Sequence, residues 1–198
     1  LSEREVEKGK EVDCLYFQSK YHPNKQWARM VRRHLRINPI FRYLDTANQV
    51  IPGGEIHHKV VCANRSRDIK GYLARTDPHI IFTSEEDTRG RQFLNKLGLV
   101  PSDRFVCLIV RDSAYKDKFQ TTGTPFGDQD WSYHNFRDSD IDTYIDAVLA
   151  LAGKGYWIFR MGKAVKNPFK AKHPRILDYA TSEYRSDFLD IWLMANCF

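Results

Sequence analysis

Residues 133–163, YHNFRDSDIDTYIDAVLALAGKGYWIFRMGK, combine a polar loop, an amphipathic helix, a glycine turn and a buried strand. Ile141, Tyr144, Ile145, Val148, Leu149 and Ala152 recur at helical spacing, which predicts a helix over 138–152. Asp138 or Ser139 is its expected cap, and Gly153 and Gly155 end it. Tyr156 to Phe159 reads as the strand that follows, carrying Arg160 and Lys163 to its C-terminal end. Upstream, Phe105-Val-Cys-Leu-Ile-Val110 is a continuous apolar run of strand length, the pattern of a strand buried on both faces of a parallel sheet. Two such strands joined through a helix form a βαβ unit, and this restricts the fold to an α/β class.

The same reading extends across the chain. Residues 13–17 read as a short buried strand. Residues 25–36 read as a helix with Trp27, Val31 and Leu35 on its apolar line and Arg29, Arg32, Arg33 and Arg36 on another face. Pro39 ends that region. Ile51-Pro-Gly-Gly54 is a turn, residues 56–63 a candidate strand, and residues 79–82 a short apolar piece. Ser84-Glu-Glu-Asp87 starts a helix, with acids in the first turn suiting the dipole; Phe93, Leu94 and Leu97 form its buried stripe, and Gly98 closes it. Residues 113–132 read as a long loop, 175–179 as a third strand, 186–195 as an amphipathic helix, and Cys197-Phe198 as the first residues of a fourth strand. The order from residue 105 onward predicts a Rossmann-like, three-layer parallel sheet. The expected division is a first domain with its linker at 1–100 and a second at 101–198. The chain opens on Leu1 and closes inside an apolar stretch, so it reads as a fragment truncated at both ends.

With 42% hydrophobic and 13% aromatic residues the 198-residue chain can build a core, which argues against disorder. Its net charge of +6, from 31 basic and 25 acidic residues, favours anionic partners. No run reaches the roughly 18 apolar residues that span a bilayer. The cysteines Cys14, Cys62, Cys107 and Cys197 are widely spaced without a CxxC, the pattern of reduced thiols in a cytosolic protein.

In open α/β sheets ligands bind beyond the C-terminal ends of the strands. Arg111 and Arg160 lie at two such ends and would grip a diphosphate bidentately, with Lys163 adding a point charge. The plainer alternative is that one arginine pairs with a neighbouring acid such as Asp112. His134, Asn135 and Arg137 precede a predicted helix N-terminus, where a ligand anion is favoured; the alternative is a loop histidine without a role. Gly162-Lys163 is not a P-loop, since the GxxxxGK[ST] spacing is absent and Ala164 stands in place of Ser or Thr. There is no GxGxxG, no HExxH and no Cys/His cluster, so neither a nicotinamide cofactor nor a metal is indicated. The basic helix offers three readings: a solvated face, contact with anionic lipid, or contact with nucleic acid. Among these the nucleic-acid reading is the weakest, because no recognised motif accompanies it.

Tyr133-His-Asn-Phe-Arg-Asp-Ser-Asp-Ile141, Gly155-Tyr-Trp-Ile-Phe-Arg-Met-Gly162, Asp178-Tyr-Ala180, Arg185-Ser-Asp-Phe-Leu-Asp190 and Arg111-Asp-Ser-Ala-Tyr115 occur in the pattern of one family. Over residues 105–198 the chain resembles putative bacterial glycosyltransferases of surface-polysaccharide synthesis. The resemblance implies a GT-B-like architecture, with residues 1–100 the end of an acceptor-side domain and 101–198 the first part of a donor-binding domain. It implies a nucleotide-sugar donor, a glycan or lipid-linked acceptor and no cofactor, the donor being a substrate held without a bound metal. Arg111, Arg160 and Lys163 would neutralise the leaving diphosphate, and His134, Asn135 and Arg137 would contact donor or acceptor. The catalytic base is expected outside this chain. The implied setting is the cytoplasm, at the inner membrane face, with Arg29, Arg32, Arg33 and Arg36 toward anionic lipid. Two rivals remain: a nucleotide-sugar epimerase or hydrolase on the same fold, and a non-catalytic module binding phosphate or nucleic acid.

Overall fold

The computed structural model describes residues 12–18, 20, 22–58, 68, 71–119 and 132–198, without the side chains of Tyr72, Leu73 and His134. The chain forms two compact units, Leu1–Pro23 with Ala28–Phe82, and Asn24–Trp27 with Thr83–Phe198. The division at Phe82 comes earlier than the expected 100, so the helix after it belongs to the second unit.

Helix α1 (Lys25–His34) runs through the point of division. It buries Gln26, Ala28 and Met30, while Trp27 of the expected apolar line is exposed. The first unit continues with α2 (Ile40–Asn48), a 3₁₀ turn (Gly54–His57) and α3 (Tyr72–Arg75). The strand expected at 13–17 reduces to one parallel bridge, Leu15 to Ile37, with the Asn38 amide donating to the Leu15 carbonyl at 3.0 Å. A single bridge leaves most of that backbone without a ladder. The expected strand at 56–63 begins instead inside the 3₁₀ turn, and its remainder from residue 59 lies outside the described residues. Helix α2 has no counterpart in the sequence reading. Pro39 precedes its first residue, so the proline that closes one segment opens the next.

The second unit is a mixed α/β arrangement around a small parallel sheet of three strands in the order β1 (Phe105–Leu108), β2 (Trp157–Arg160), β3 (Ile176–Leu177). Phe105 pairs with Trp157 and Leu108 with Arg160, while Ile158 pairs with Ile176. On the other side of β1, the amide of Phe198 donates to the Phe105 carbonyl at 2.9 Å. β1 therefore has backbone partners on both sides.

Alternation along β2 divides the core. Ile158 belongs to a cluster with Val110, Ile141, Val148, Ala152 and Phe169, built by the 3₁₀ turn Ile141–Tyr144 and α6 (Ile145–Gly153). Phe159 turns the other way, its ring 5.4 Å from Phe105 and 6.3 Å from Phe93 of α4 (Ser84–Lys96). Thr83 caps α4 in a reciprocal capping box with Glu86. α4 meets α7 (Asp187–Asn196) where Gly90 faces Trp192, and a Cβ on that glycine would come within 2.1 Å of the indole. The expected long loop at 113–132 is helical at its start, in α5 (Ala114–Phe119); its residues 120–131 lie outside the described residues, and a 3₁₀ turn (Ser132–Arg137) follows them. The helix expected over 138–152 is divided, with Asp140 capping its 3₁₀ opening and α6 following.

Candidate functional site

Three chain segments leave the C-terminal ends of the parallel strands, and Arg160 binds them together. It is the last residue of β2 and only 1% exposed. One terminal nitrogen donates to Asp178 Oδ1 at 3.2 Å, beyond β3, and the other to the Asn167 carbonyl at 3.2 Å. The second lies 4.0 Å from Asp112 Oδ2, beyond β1. Both carboxylates are themselves engaged. Asp178 Oδ2 accepts from the Phe169 amide and the Thr181 hydroxyl, each at 2.9 Å. Asp112 accepts from the amides of Ala114 at 3.0 Å and Lys166 at 2.9 Å.

Arg160, expected as a ligand contact, is thus held by protein oxygens. A guanidinium offered to a diphosphate needs free terminal nitrogens at a surface, and both of these are held inside by protein oxygens. The alternative of an arginine paired to a neighbouring acid describes this residue.

Arg111 and Lys163 are different. Arg111 is 38% exposed, and its Nε lies 3.4 Å from Asp138 Oδ1. Lys163 is 24% exposed, 3.9 Å from Asp187 Oδ1 and 5.5 Å from the centre of the Phe119 ring. Long, half-exposed pairs of this kind contribute little energy, so an anionic ligand can compete for the cations. Gly162 holds the bend before Lys163 at φ +153°, where a Cβ would meet Val165 at 2.6 Å.

The N-terminus of α7 carries its own polar cluster. Ser186 Oγ accepts from the Leu189 amide, and Asp187 stands in the first turn. Asp187 Oδ2 accepts the Lys25 amide at 2.8 Å, and Oδ1 lies 3.2 Å from Arg185. Burial pushes the Asp187 carboxyl up, but the Lys25 amide and the charges of Lys163 and Arg185 outweigh it and leave the group below its ordinary value. Tyr179, fully buried, accepts the Ser186 amide at 2.9 Å and donates to Asp190 Oδ1 at 2.9 Å. Arg185 holds the other Asp190 oxygen at 2.6 Å. Burial raises both the Tyr179 phenol and the Asp190 carboxyl, only partly offset at Asp190 by Tyr179 and Arg185.

The remaining expected residues lie on the turn that precedes a capped helix start. His134, Asn135 and Arg137 belong to the 3₁₀ turn Ser132–Arg137, whose Asn135 carbonyl accepts the Asp138 amide at 2.9 Å. Asn135 and Arg137 are exposed, and Arg137 rests 5.3 Å from the Phe136 ring centre. The helix that follows is capped by Asp140 instead. Among the described residues no group of three or more His, Cys, Asp or Glu is arranged to hold a metal.

One polar constellation escaped the sequence reading. In the first unit Asp45 Oδ2 accepts from the Tyr16 hydroxyl at 2.7 Å and Oδ1 meets His58 Nδ1 at 2.5 Å. These bonds, Tyr16 first, hold the Asp45 carboxyl below its ordinary value. The available signal was that Asp45 is the only acid between Asp13 and Glu55.

No protein-family model, no curated protein and no solved structure matches this chain.

Proposed function

We propose that this chain is part of a glycosyltransferase that moves a sugar from a nucleotide diphosphate donor to a bacterial cell-surface glycan or lipid-linked acceptor. The observation that carries the reading is the pair of half-exposed cations Arg111 and Lys163, which follow the C-terminal ends of adjacent parallel strands. That is where open α/β sheets hold phosphorylated ligands. The second unit is the donor-binding half of a GT-B-like architecture, its sheet flanked on one face by α6 and on the other by α4. The leaving diphosphate takes up the charges of Arg111 and Lys163, which stabilises the negative charge that develops as the glycosidic bond breaks. Arg160 supports this site from below, as the framework that fixes the three segments. Asn135 and Arg137, with His134, stand on the turn nearest Asp138, the present partner of Arg111, and contact donor or acceptor. The reading requires no resident cofactor, and the basic first unit rests against anionic lipid at the cytoplasmic face of the membrane.

Calorimetric titration with UDP, GDP, dTDP and CMP at two salt concentrations tests the donor site. One nucleotide is expected to bind saturably. Lys163→Ala and Arg111→Ala should each weaken it by about 1.5–3 kcal/mol, the range for a hydrogen bond to a charged group. Failure of all four nucleotides to bind would overturn the reading.

A further inference from the structure

Helix α2 is built inside out. Asp45 and Asn48 anchor it to the first unit, with Asp45 taking Tyr16 and His58, and Asn48 donating to the Gly54 carbonyl at 2.6 Å, and Phe41 is half-buried. Ile40, Tyr43, Leu44 and Ala47 fall at i, i+3, i+4 and i+7, which is one face of a helix. That face is open: Ile40 is 55%, Tyr43 74% and Leu44 57% exposed, and α2 contains no buried residue. Val50 and Ile51 extend the apolar surface just past the helix. An amphipathic helix ordinarily buries such a stripe, so polar anchors here hold it outward.

Charge identifies the occupant. Residues 14–54 contain seven basic residues and one acid, a surplus equal to the whole net charge of +6. The one acid, Asp45, is among the inward anchors. Arg29, Arg32, Arg33 and Arg36 are exposed on or just after α1, and Arg42 is exposed on the flank of α2. Pairing with a second copy would bring two such basic regions together, at an electrostatic cost. A polynucleotide would match the arginines but offers nothing to Ile40 and Leu44.

We infer that α2 is an interfacial membrane helix whose Ile40–Tyr43–Leu44 face enters the outer acyl region of an anionic bilayer while the arginines meet the headgroups. The nine-residue helix is too short to span and lies in the plane of the surface. Tyr43 places its ring among the chains with the hydroxyl at headgroup level. The inference rests only on the membrane part of the function proposed above. Its test contains no nucleotide, so its failure and that of the donor site are read separately.

The test is flotation with vesicles of phosphatidylcholine alone and of phosphatidylcholine with phosphatidylglycerol. The chain is expected to float with the anionic vesicles and to remain below with the neutral ones. Tyr43→Ser combined with Leu44→Ser, both at exposed positions, should reduce anionic partitioning about tenfold or more with unchanged circular dichroism. Tyr43→Trp should retain binding and shift its emission to the blue on the anionic vesicles. The inference is overturned if anionic vesicles fail to bind the chain. It is also overturned if the serine pair binds as well as the parent while Arg32→Ala with Arg36→Ala does not, since headgroup attraction alone would then suffice. A third overturning outcome is a concentration-dependent dimer that the serine pair abolishes in a chain that does not float.

Discussion

A guanidinium that is 1% exposed and held by two main partners is a commitment of the fold. Replacing Arg160 with Met fills much of its volume but leaves Asp178 and Asp112 facing an apolar group. Breaking a buried pair from one side costs about 3–5 kcal/mol, because the remaining charge has no compensation. Urea denaturation of Arg160→Met should show a loss of that size. Lys163→Ala, with its 3.9 Å half-exposed pair, should change stability by less than about 1 kcal/mol. Equal losses would mean that Arg160 is as loosely held as Lys163. This contrast was not legible from sequence, where both residues simply follow β2. Arg160 lies 18 residues from Asp178, and only the register of β3 against β2 brings them together. The strand-end positions of Arg111 and Lys163 were legible, because apolar runs mark where β1 and β2 stop.

At the scale of elements, the helix caps link sequence to stability most directly. Asp187 lies at the positive end of α7 and its carboxyl is held below the ordinary 3.8. The native state therefore binds this proton more weakly than the unfolded chain. The resulting stabilisation is complete above the unfolded value and is lost as the pH falls through the depressed one. Asp187→Asn should cost on the order of 1 kcal/mol at pH 7, and the gap should narrow as the pH falls below 3.8. Guanidinium unfolding of both proteins at pH 7 and pH 3 checks this; a gap unchanged between the two would remove the electrostatic account. Asp190 has the opposite sign, since burial raises its carboxyl and stability from that group falls as the pH rises through its range. The start of α7 was readable because Ser186 precedes an acid-rich first turn and an apolar run. Helix α4 was readable for the same reason, with the cap one residue earlier at Thr83. Helix α2 was missed because Pro39 suggested an ending, although Ile40, Tyr43, Leu44 and Ala47 recur at helical spacing directly after it. The expected strand at 13–17 has the right residues but only one bridge, and propensity without a partner strand does not make a ladder.

For the whole molecule, β1 is the outer strand of the sheet in the second unit, paired with β2 on one side and tied to the Phe198 amide through one backbone hydrogen bond on the other. That position determines the chemistry of Cys107. Burial, helped by the adjacent Cys197 thiol, pushes the Cys107 thiol from 9.0 up to about 12. Thiolate is the reactive form, so a rise of this size lowers its population at pH 8 by about a thousandfold. Cys14, in the first unit, is exposed. Iodoacetamide at pH 8 should therefore alkylate Cys14 first and leave Cys107 unmodified until the second unit opens. Peptide mass spectrometry along a urea series should place the loss of Cys107 protection at the unfolding midpoint of that unit. Arg160→Met should move this midpoint to lower urea, because the segments beyond β1, β2 and β3 then lose their common tie, while the labelling of Cys14 should stay as fast as in the parent. Labelling of Cys107 and Cys14 at the same rate in buffer alone would contradict the burial of Cys107 in β1. The sheet order, the buried arginine and the raised thiol thus make one connected claim, and a single labelling series tests all three.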